Sequence, residues 1–368
     1  VRSAVIAGGG IGGLTAAIAL TRAGWQVEVL EQAAGFSEVG AGLTVWPNAL
    51  RALDHIGLGD RVRAVGKIEA AGGICDAQGK WLVRSDTAEL DRRFGPSVAL
   101  HRKNLLKVLE DAVPQGVLRT NTRVIRAHVD NGGVVVEHTQ GESRAELLVG
   151  ADGIHSVVRR QFWPRSAPVY AGSTAWRMIL DRTGAERLAV GAEFWGRGEE
   201  FGVLQLPNEQ VYMFAGAVSP AGGTSPDGEL AELLRRFGNW ADPIRELLPR
   251  VRPEDVLRHD LYYVPKLRSY VHGPVVLIGD AAHAMLPNLG QGGCQAIEDA
   301  VTLPLVDRYD SLRRKRTQSI ARMSFVAGRV GMARSALAVT LRNNVVSLVP
   351  ASAMIRSSAR MFDWQPSG

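Results

Sequence analysis

A short apolar segment, Ser3–Ala7, runs directly into Gly8-x-Gly10-x-x-Gly13, and an Ala- and Leu-rich helical stretch, Gly12–Ala23, follows without a break. Gly24 ends that helix and Gln26–Glu31 is a second apolar strand. Strand, glycine turn, helix and strand within about 30 residues make a βαβ unit, the opening of a parallel, doubly wound sheet. Each glycine has a physical task. Gly8 permits the tight turn off the strand, Gly10 lets backbone N–H groups approach a pyrophosphate, and Gly13 lets the helix pack closely on the sheet. The helix N-terminus adds unpaired donors and the positive end of its dipole. Glu31 ends the second strand, where a carboxylate accepts hydrogen bonds from the hydroxyls of an adenosine ribose. An acid at that position favours an unphosphorylated ribose, which leaves FAD and NAD both open.

Two later segments have the same design. Gly150-Ala151-Asp152-Gly153, followed by Ser156 and Arg159, ends one apolar strand, Glu146–Gly150. Gly279-Asp280-Ala281-Ala282-His283, running through Pro287 to Gly290-Gln291-Gly292-Gly293, ends another, Val275–Gly279. Each places a carboxylate at the carboxyl end of the sheet, where ligands bind in open α/β folds. The second set of glycines leads into a helix at Gln295–Ala300 and can aim N–H groups at an electron-rich ring edge.

Between about Val169 and Tyr263 the rhythm changes to antiparallel strands rich in Trp, Phe and Tyr, among them Ala192–Trp195, Phe201–Leu206 and Gln210–Ala217. Helices near Asp227–Arg236 and Trp240–Leu248 interrupt them. The simplest organisation is a dinucleotide-binding domain that is left and re-entered: 1–168 and 264–305 for that domain, 169–263 for an inserted, mostly antiparallel domain, and 306–368 for C-terminal helices.

The net charge of +6 comes mainly from Arg, and no basic block carries the interleaved aromatics of a nucleic-acid surface. Arg313-Arg314-Lys315-Arg316 reads as the solvated face of a helix. Cys75 and Cys294 are far apart and form no Cys/His cluster, so neither a disulfide framework nor a metal site is expected, and a reducing cytoplasm fits. No apolar run reaches the length of about 20 residues that a membrane span needs, so stable membrane insertion is not expected. The N-terminal apolar stretch reads as the first strand rather than a signal peptide. The run from Val330 to Phe362 is amphipathic with interspersed Arg. It reads first as packing over the dinucleotide-binding domain, with membrane contact as the second reading.

The three motifs together, in this order and at this spacing, resemble the single-component FAD-dependent aromatic hydroxylases, the group A flavoprotein monooxygenases, over nearly the whole chain. The string from Asn288 to Asp299 is similar to that of a subset containing salicylate hydroxylase, 3-hydroxybenzoate hydroxylase, urate hydroxylase and zeaxanthin epoxidase. The resemblance implies an α/β fold: a Rossmann-like FAD-binding domain of the glutathione-reductase and p-hydroxybenzoate hydroxylase type, with an inserted antiparallel-sheet substrate domain and a C-terminal helical region. It implies FAD as cofactor, held by Gly8, Gly10, Gly13, Glu31, Gly42, Arg102, Val124, Asp152, Asp280 and Gly293. Val124 would meet adenine through its backbone, and Asp152 would serve both FAD and NAD(P)H. Asp280 would bond the ribityl chain, and Gly40-Ala41-Gly42 would lie beside the flavin. Pro287, Gly290 and Gly292 would position the flavin edge. Family members commonly carry Asn where Cys294 stands, and Cys294 reads as a small packing residue. The stretch from Ala300 to Tyr309 is shorter than the family norm.

The reaction implied is hydroxylation or epoxidation of an electron-rich, aromatic small molecule with NADH or NADPH and O2, through a flavin C4a-hydroperoxide. The cofactor carries the hard chemistry, so no protein nucleophile or metal is required. The inserted sheet would roof the flavin, with Trp176, Met178, Phe201, Val203, Gln205, Met213 and Ala215 as inward-facing candidates for the substrate pocket. Arg177 reads first as one half of a surface ion pair and second as the partner of a substrate carboxylate or phenolate. His283 reads as structural. A monomer or homodimer is expected. Two rival functions share the fold: a flavin-dependent reductase of the geranylgeranyl-reductase type, and a flavin redox sensor without turnover. A flavin halogenase is disfavoured, because no Trp-x-Trp-x-Ile segment is present.

Overall fold

The structure, a computed structural model, describes residues 2–35, 41–68, 72–181 and 191–367. Its first sheet has six strands in the order Val271–His272, Val275–Leu277, Leu147–Gly150, Ser3–Ala7, Gln26–Leu30 and Leu118–Arg119. All neighbours are parallel except the first pair. The fingerprint strand Ser3–Ala7 is therefore central, with its βαβ partner on one side and the strand of the Asp152 motif on the other. That reversal of strand order leaves a crevice at the carboxyl ends. The central strands Ser3–Ala7, Leu147–Gly150 and Val275–Leu277 are almost wholly apolar because both faces are covered, by helices and by strands whose Val124, Ala127, Val134 and Val136 share their core. Val5, Ile6, Ala7, Leu148, Val149, Val276 and Leu277 lie in one core with Ala16, Ala17 and Leu20 of the helix Ile11–Arg22.

The second sheet has seven strands: Leu257–Tyr263, Val169–Leu180, Val211–Val218, Glu199–Gln205, Ala192–Trp195, Gly73–Asp76 and Trp81–Arg84. It is antiparallel apart from the pairing of Ala192–Trp195 with Gly73–Asp76. Two of its strands thus come from within residues 1–168, before the antiparallel segment of the sequence begins. One face is closed by the helices Glu229–Phe237 and Ile244–Leu247, which bury Leu233, Phe237, Ile244 and Leu247 against it. The other face meets the first domain, where Tyr212, Leu204 and Ile179 pack on Ala99. Two three-stranded sheets flank these, one of Gly42–Val45, Val98–His101 and Lys67–Ile68, the other of Val124–Asp130, Gly133–His138 and Gly141–Ala145.

After the helix Gly292–Thr302, a single turn at Leu303–Leu305 passes directly into the long helix Val306–Gly331, and Ala336–Ser347 and Ala351–Phe362 follow. The basic run at the start of the long helix is not a solvated face. Arg313 is fully buried; its Nε donates to Asp299 Oδ1 at 2.7 Å and its Nη2 to Gln295 Oε1 at 2.8 Å, and it pairs with Glu298. Arg316 donates to Glu298 through Nε at 2.7 Å and Nη2 at 2.8 Å. Two carboxylates on the preceding helix demand buried cations, and a helix that folds straight back supplies them. The last helix packs as the sequence suggested, with Phe362 stacked on Trp46 at 5.0 Å and edge-on to Phe94 at 5.8 Å. Among the described residues no helix is long and apolar enough to cross a membrane.

Candidate active site

Parallel register sets the site. Ala7 is level with Leu30 and Gly150, and Gly150 with Leu277. Gly8, Glu31, Asp152 and Asp280 therefore leave the sheet along one edge, although 272 positions separate the first from the last. The close packing is explicit at two glycines. Gly8 sits at φ +99°, and a Cβ there would lie 2.5 Å from the Ala151 carbonyl oxygen. A Cβ on Gly13 would lie 1.9 Å from the Gly8 carbonyl oxygen, so no larger residue lets the helix start where it does. At Gly10, by contrast, a Cβ would meet nothing within 4 Å. The turn is an open cradle over the helix start, and no side chain caps that helix.

Glu31 is fixed at the head of the cradle, accepting from the Gly9 N–H at 2.7 Å and the Ala33 N–H at 2.8 Å. Its backbone carbonyl accepts from Thr122 N–H at 2.8 Å, which holds the segment leading to Val124 alongside. The Asp152 carboxylate is occupied otherwise. It accepts from Ser156 Oγ at 2.5 Å, Val157 N–H at 2.7 Å and Val158 N–H at 3.2 Å, and so caps the helix Val157–Phe162. Burial pushes its carboxyl up, against these bonds. From the same helix the buried Arg159 donates to the carbonyls of Ser166 at 3.2 Å and Ala281 at 3.0 Å, which ties the Asp152 motif to the Asp280 motif.

Asp280 is exposed at the start of the short helix Asp280–His283. His283 turns inward to Asp299, with Nε2 2.5 Å from Oδ2, and Asp299 also accepts from Gly279 N–H at 2.9 Å. Burial opposes ionisation of Asp299, yet His283 and Arg313 hold its carboxyl at about 2. The exposed Pro287 opens a single turn, Pro287–Leu289, closed by Gly290 at φ +60°. The helix Gly292–Thr302 then begins, also without a side-chain cap. A Cβ on Gly292 would lie 4.0 Å from Asp280 Oδ1, and one on Gly293 would lie 3.8 Å from Ile11 Cδ1. Two helix N-termini without side-chain caps therefore converge beside the exposed Asp280 carboxylate. Cys294 is buried behind them, its thiol pushed up to about 12 by burial, with Sγ 3.6 Å from the Thr44 carbonyl oxygen.

The second sheet supplies the opposite wall, but not with the residues expected from the sequence. Trp176, Met178, Phe201, Val203, Met213 and Ala215 all lie on its far face, in the core shared with Leu233, Phe237 and Ile244. Trp176 Nε1 donates to Glu229 there at 2.6 Å. Gln205 stands at the sheet end and accepts from Lys67 Nζ at 2.6 Å. Trp176, Val203 and Met213 therefore do not face the flavin-domain side, and Gln205 reaches it only at the sheet end, through Lys67. Both faces of this sheet are covered, so apolar side chains mark neither face as the pocket.

The facing set is the other phase of the alternation. Pairing across the strands carries Arg177 to Phe214, Gly202 and Glu193, and Ala175 to Gly216 and Glu200. Arg177 makes no surface ion pair among the described residues. Its charge reaches Arg102, Tyr212 and His259, and His259 is lowered by burial and by that charge. Tyr212 packs so closely on the first domain that a Cβ on Gly42 would lie 2.6 Å from its ring. Gly40 lies outside the described residues. Glu193 and Glu200 were missed in the sequence. Burial, then the neighbouring Glu193, pushes Glu200 up to about 8, and burial raises Glu193 as well. Asn288 Nδ2 donates to both oxygens of Glu200 at 3.2 Å, joining this wall to the Pro287 turn. The signal available in the sequence was an ionisable residue repeated in one phase of the strands, Arg177, Glu193 and Glu200, where the other phase is apolar.

The geometry fits a dinucleotide with a ring system beneath the second sheet, and comparison with known proteins agrees. A family model described as "FAD binding domain" matches residues 2–305. Aurachin C monooxygenase/isomerase of Stigmatella aurantiaca is 34% identical over 375 residues, covering 98% of this chain and 98% of that protein. FAD-dependent urate hydroxylase of Klebsiella pneumoniae is 33% identical over 315 residues, covering 83% of this chain and 81% of that protein. The crystal structure of Klebsiella pneumoniae HpxO with FAD and uric acid superimposes with a TM-score of 0.92 at 27% identity, covering 100% of this chain and 98% of that one.

Proposed function

Because this chain belongs to the FAD binding domain family and is an FAD-dependent monooxygenase, we propose that it oxygenates an electron-rich, aromatic small molecule held between the Pro287–Gly293 turn and the Arg177 face of the second sheet. The single observation that carries this reading is the convergence of two helix N-termini without side-chain caps beside the exposed Asp280, beneath that polar face. FAD held there would supply the redox chemistry, taking reducing equivalents from NADH or NADPH and activating O2.

The chain's own residues bind, orient and exclude. The Gly8–Gly13 turn and its helix dipole hold the pyrophosphate, as the open space over Gly10 permits. Glu31 takes the adenosine ribose and the backbone at Val124 meets adenine. Asp280 takes the ribityl chain. N–H groups from Gly290 to Gly293, at a helix N-terminus, would stabilise negative charge on the flavin. Arg102 and Gly42 would help to hold the flavin, and Pro287 would position it. Asp152 acts through the backbone it caps rather than by direct contact. Arg177 orients an anionic or carbonyl group of the substrate. The Glu193–Glu200 pair, holding a proton near neutrality, offers a donor to the same ring. Trp176, Val203, Gln205 and Met213 take no part, since they are spent on the opposite core and the sheet end.

The relatives matched are monooxygenases, hydroxylases and epoxidases, and they give no support to the reductase alternative. Two buried, unpaired thiols, Cys75 and Cys294, support a reducing cytoplasm as the place of work. The test is turnover of the FAD-loaded protein with NADH or NADPH under air against a panel of phenolic acids, purines and quinolones. Substrate-stimulated oxidation with a product heavier by one oxygen supports the reading. Stimulated oxidation that yields only hydrogen peroxide with every class would oppose it.

A further inference from the structure

The helix Ala336–Ser347 is long enough to have two distinct faces, and it uses only one of them. On the inner side Arg342 is buried: Nη1 donates to the Gly196 carbonyl at 3.0 Å and to that of Gly331, and the guanidinium lies 5.3 Å from the centre of the Trp195 ring. Ser335 caps the N-terminus, accepting from Ala338 N–H at 3.1 Å. The helix is therefore pinned in one orientation on the edge of the second sheet.

Its outer side carries Leu337, Leu341, Val345 and Leu348, exposed to 81%, 62%, 54% and 80%. At 100° per residue these four fall within an arc of about 80°. Val326 and Val330, one turn apart near the end of the long helix, are exposed to 50% and 42%, and Val349 extends the stripe beyond the helix. The Leu337, Leu341, Val345 and Leu348 stripe, presented outward by a fixed helix, marks an interaction surface rather than scattered exposure.

Charge decides what covers it. From Ser311 to Phe362 the chain has no Asp or Glu, while Arg322, Arg329, Arg334, Arg356 and Arg360 are exposed. Exposed Arg84 and Arg197 lie beside this helix: the strand Trp81–Arg84 packs against it, and Arg197 Nε donates to the Arg334 carbonyl. The acids described on that side are engaged: Glu200 is buried and Glu193 accepts from Trp195 Nε1 at 2.5 Å. Asp86 caps the helix Thr87–Phe94, and Glu89 pairs with Arg92 at 2.7 Å. An isologous contact with a second copy would bring two like-charged, arginine-flanked surfaces together. An apolar stripe flanked, among the described residues, by the exposed Arg84, Arg197 and Arg334 instead matches an anionic lipid surface, with the leucines in the acyl boundary and the arginines at the headgroups.

We infer that the Leu337–Leu348 face docks this enzyme peripherally on anionic bilayers. The docking lies at the outer edge of the second sheet, so it is independent of flavin binding and turnover.

The test is co-sedimentation of the FAD-loaded protein with phosphatidylcholine vesicles made with and without phosphatidylglycerol. Binding to the phosphatidylglycerol vesicles is expected, and it should weaken as salt is raised. The triple variant Leu337→Ser, Leu341→Ser, Leu348→Ser should lose at least ~10-fold in partitioning, and Arg329→Gln with Arg334→Gln should lose roughly 5-fold per cation. Flavin content, thermal midpoint and NADH oxidation should stay at wild-type values in both variants, since none of these side chains is buried. Wild-type protein that stays in the supernatant with phosphatidylglycerol vesicles overturns the inference. So does equal binding by the triple variant. A concentration-dependent dimer in the wild type that the triple variant abolishes would assign the face to a second copy and equally overturn it.

Discussion

Replacing Glu200 by Gln should change how stability depends on pH more than it changes stability itself. In the folded chain, burial and the nearby Glu193 raise Glu200 from 4.5 to about 8. Between those values the folded protein holds a proton that the unfolded chain has released. Stability is therefore unpenalised below pH 4.5, falls as pH rises through the window, and carries the full penalty above about pH 8. The gap sets a ceiling of about 5 kcal/mol at one site, at 1.36 kcal/mol per pH unit. Gln copies the shape of the neutral acid and keeps an oxygen to accept from Asn288, so little should change at pH 5. At pH 9 the variant should be the more stable protein, by about 5 °C or more in thermal midpoint. Melts followed by flavin fluorescence and circular dichroism at pH 5 to 9 measure this. Wild-type and variant midpoints that run parallel across that range would show Glu200 to be ionised at neutrality and would refute the reasoning.

Three other outcomes follow from the geometry. Gly13→Ala puts a methyl 1.9 Å from the Gly8 carbonyl oxygen, so the purified protein should carry little FAD, read as flavin absorbance relative to protein, or fail to fold. Arg313→Met leaves Glu298 and Asp299 buried without their shared cation and should cost about 3–5 kcal/mol in a urea titration; a loss under ~1 kcal/mol would mean the network is wetter than it looks. Arg177→Gln should raise KM for an acidic aromatic substrate by ~10-fold or more while FAD content stays unchanged, whereas an effect confined to kcat would place Arg177 away from the substrate.

What was legible in the sequence was whatever a strand end dictates. Gly8, Glu31, Asp152 and Asp280 are remote in the chain, yet each ends an apolar strand, and a parallel sheet brings such ends to one edge. The glycines announce themselves because their conformations and close approaches exclude side chains. The inserted sheet was legible as strands but not as faces. Alternation separates Trp176 from Arg177 and Met213 from Phe214, yet it does not say which phase looks toward the flavin when helices bury one side and a domain covers the other. The polar phase, Arg177, Glu193 and Glu200, is the one that faces the cleft. Arg313 was misread for a related reason. Its partners lie on the helix before it, and only the tight turn at Leu303–Leu305 folds the basic run inward onto Glu298 and Asp299. The pairing of Gly73–Asp76 with Ala192–Trp195 joins strands over 100 residues apart and has no local signature.

The central claim is that the chain transfers an oxygen atom from O2 to an aromatic substrate at the expense of NADH or NADPH. Turnover of the FAD-loaded protein under isotopically heavy dioxygen, with mass spectrometry of the product, tests it most directly. One heavy oxygen in the product, with reduced nicotinamide consumed in equal amount, is the result predicted. A product that takes its oxygen from water, or a substrate reduced equally well without dioxygen, would contradict it.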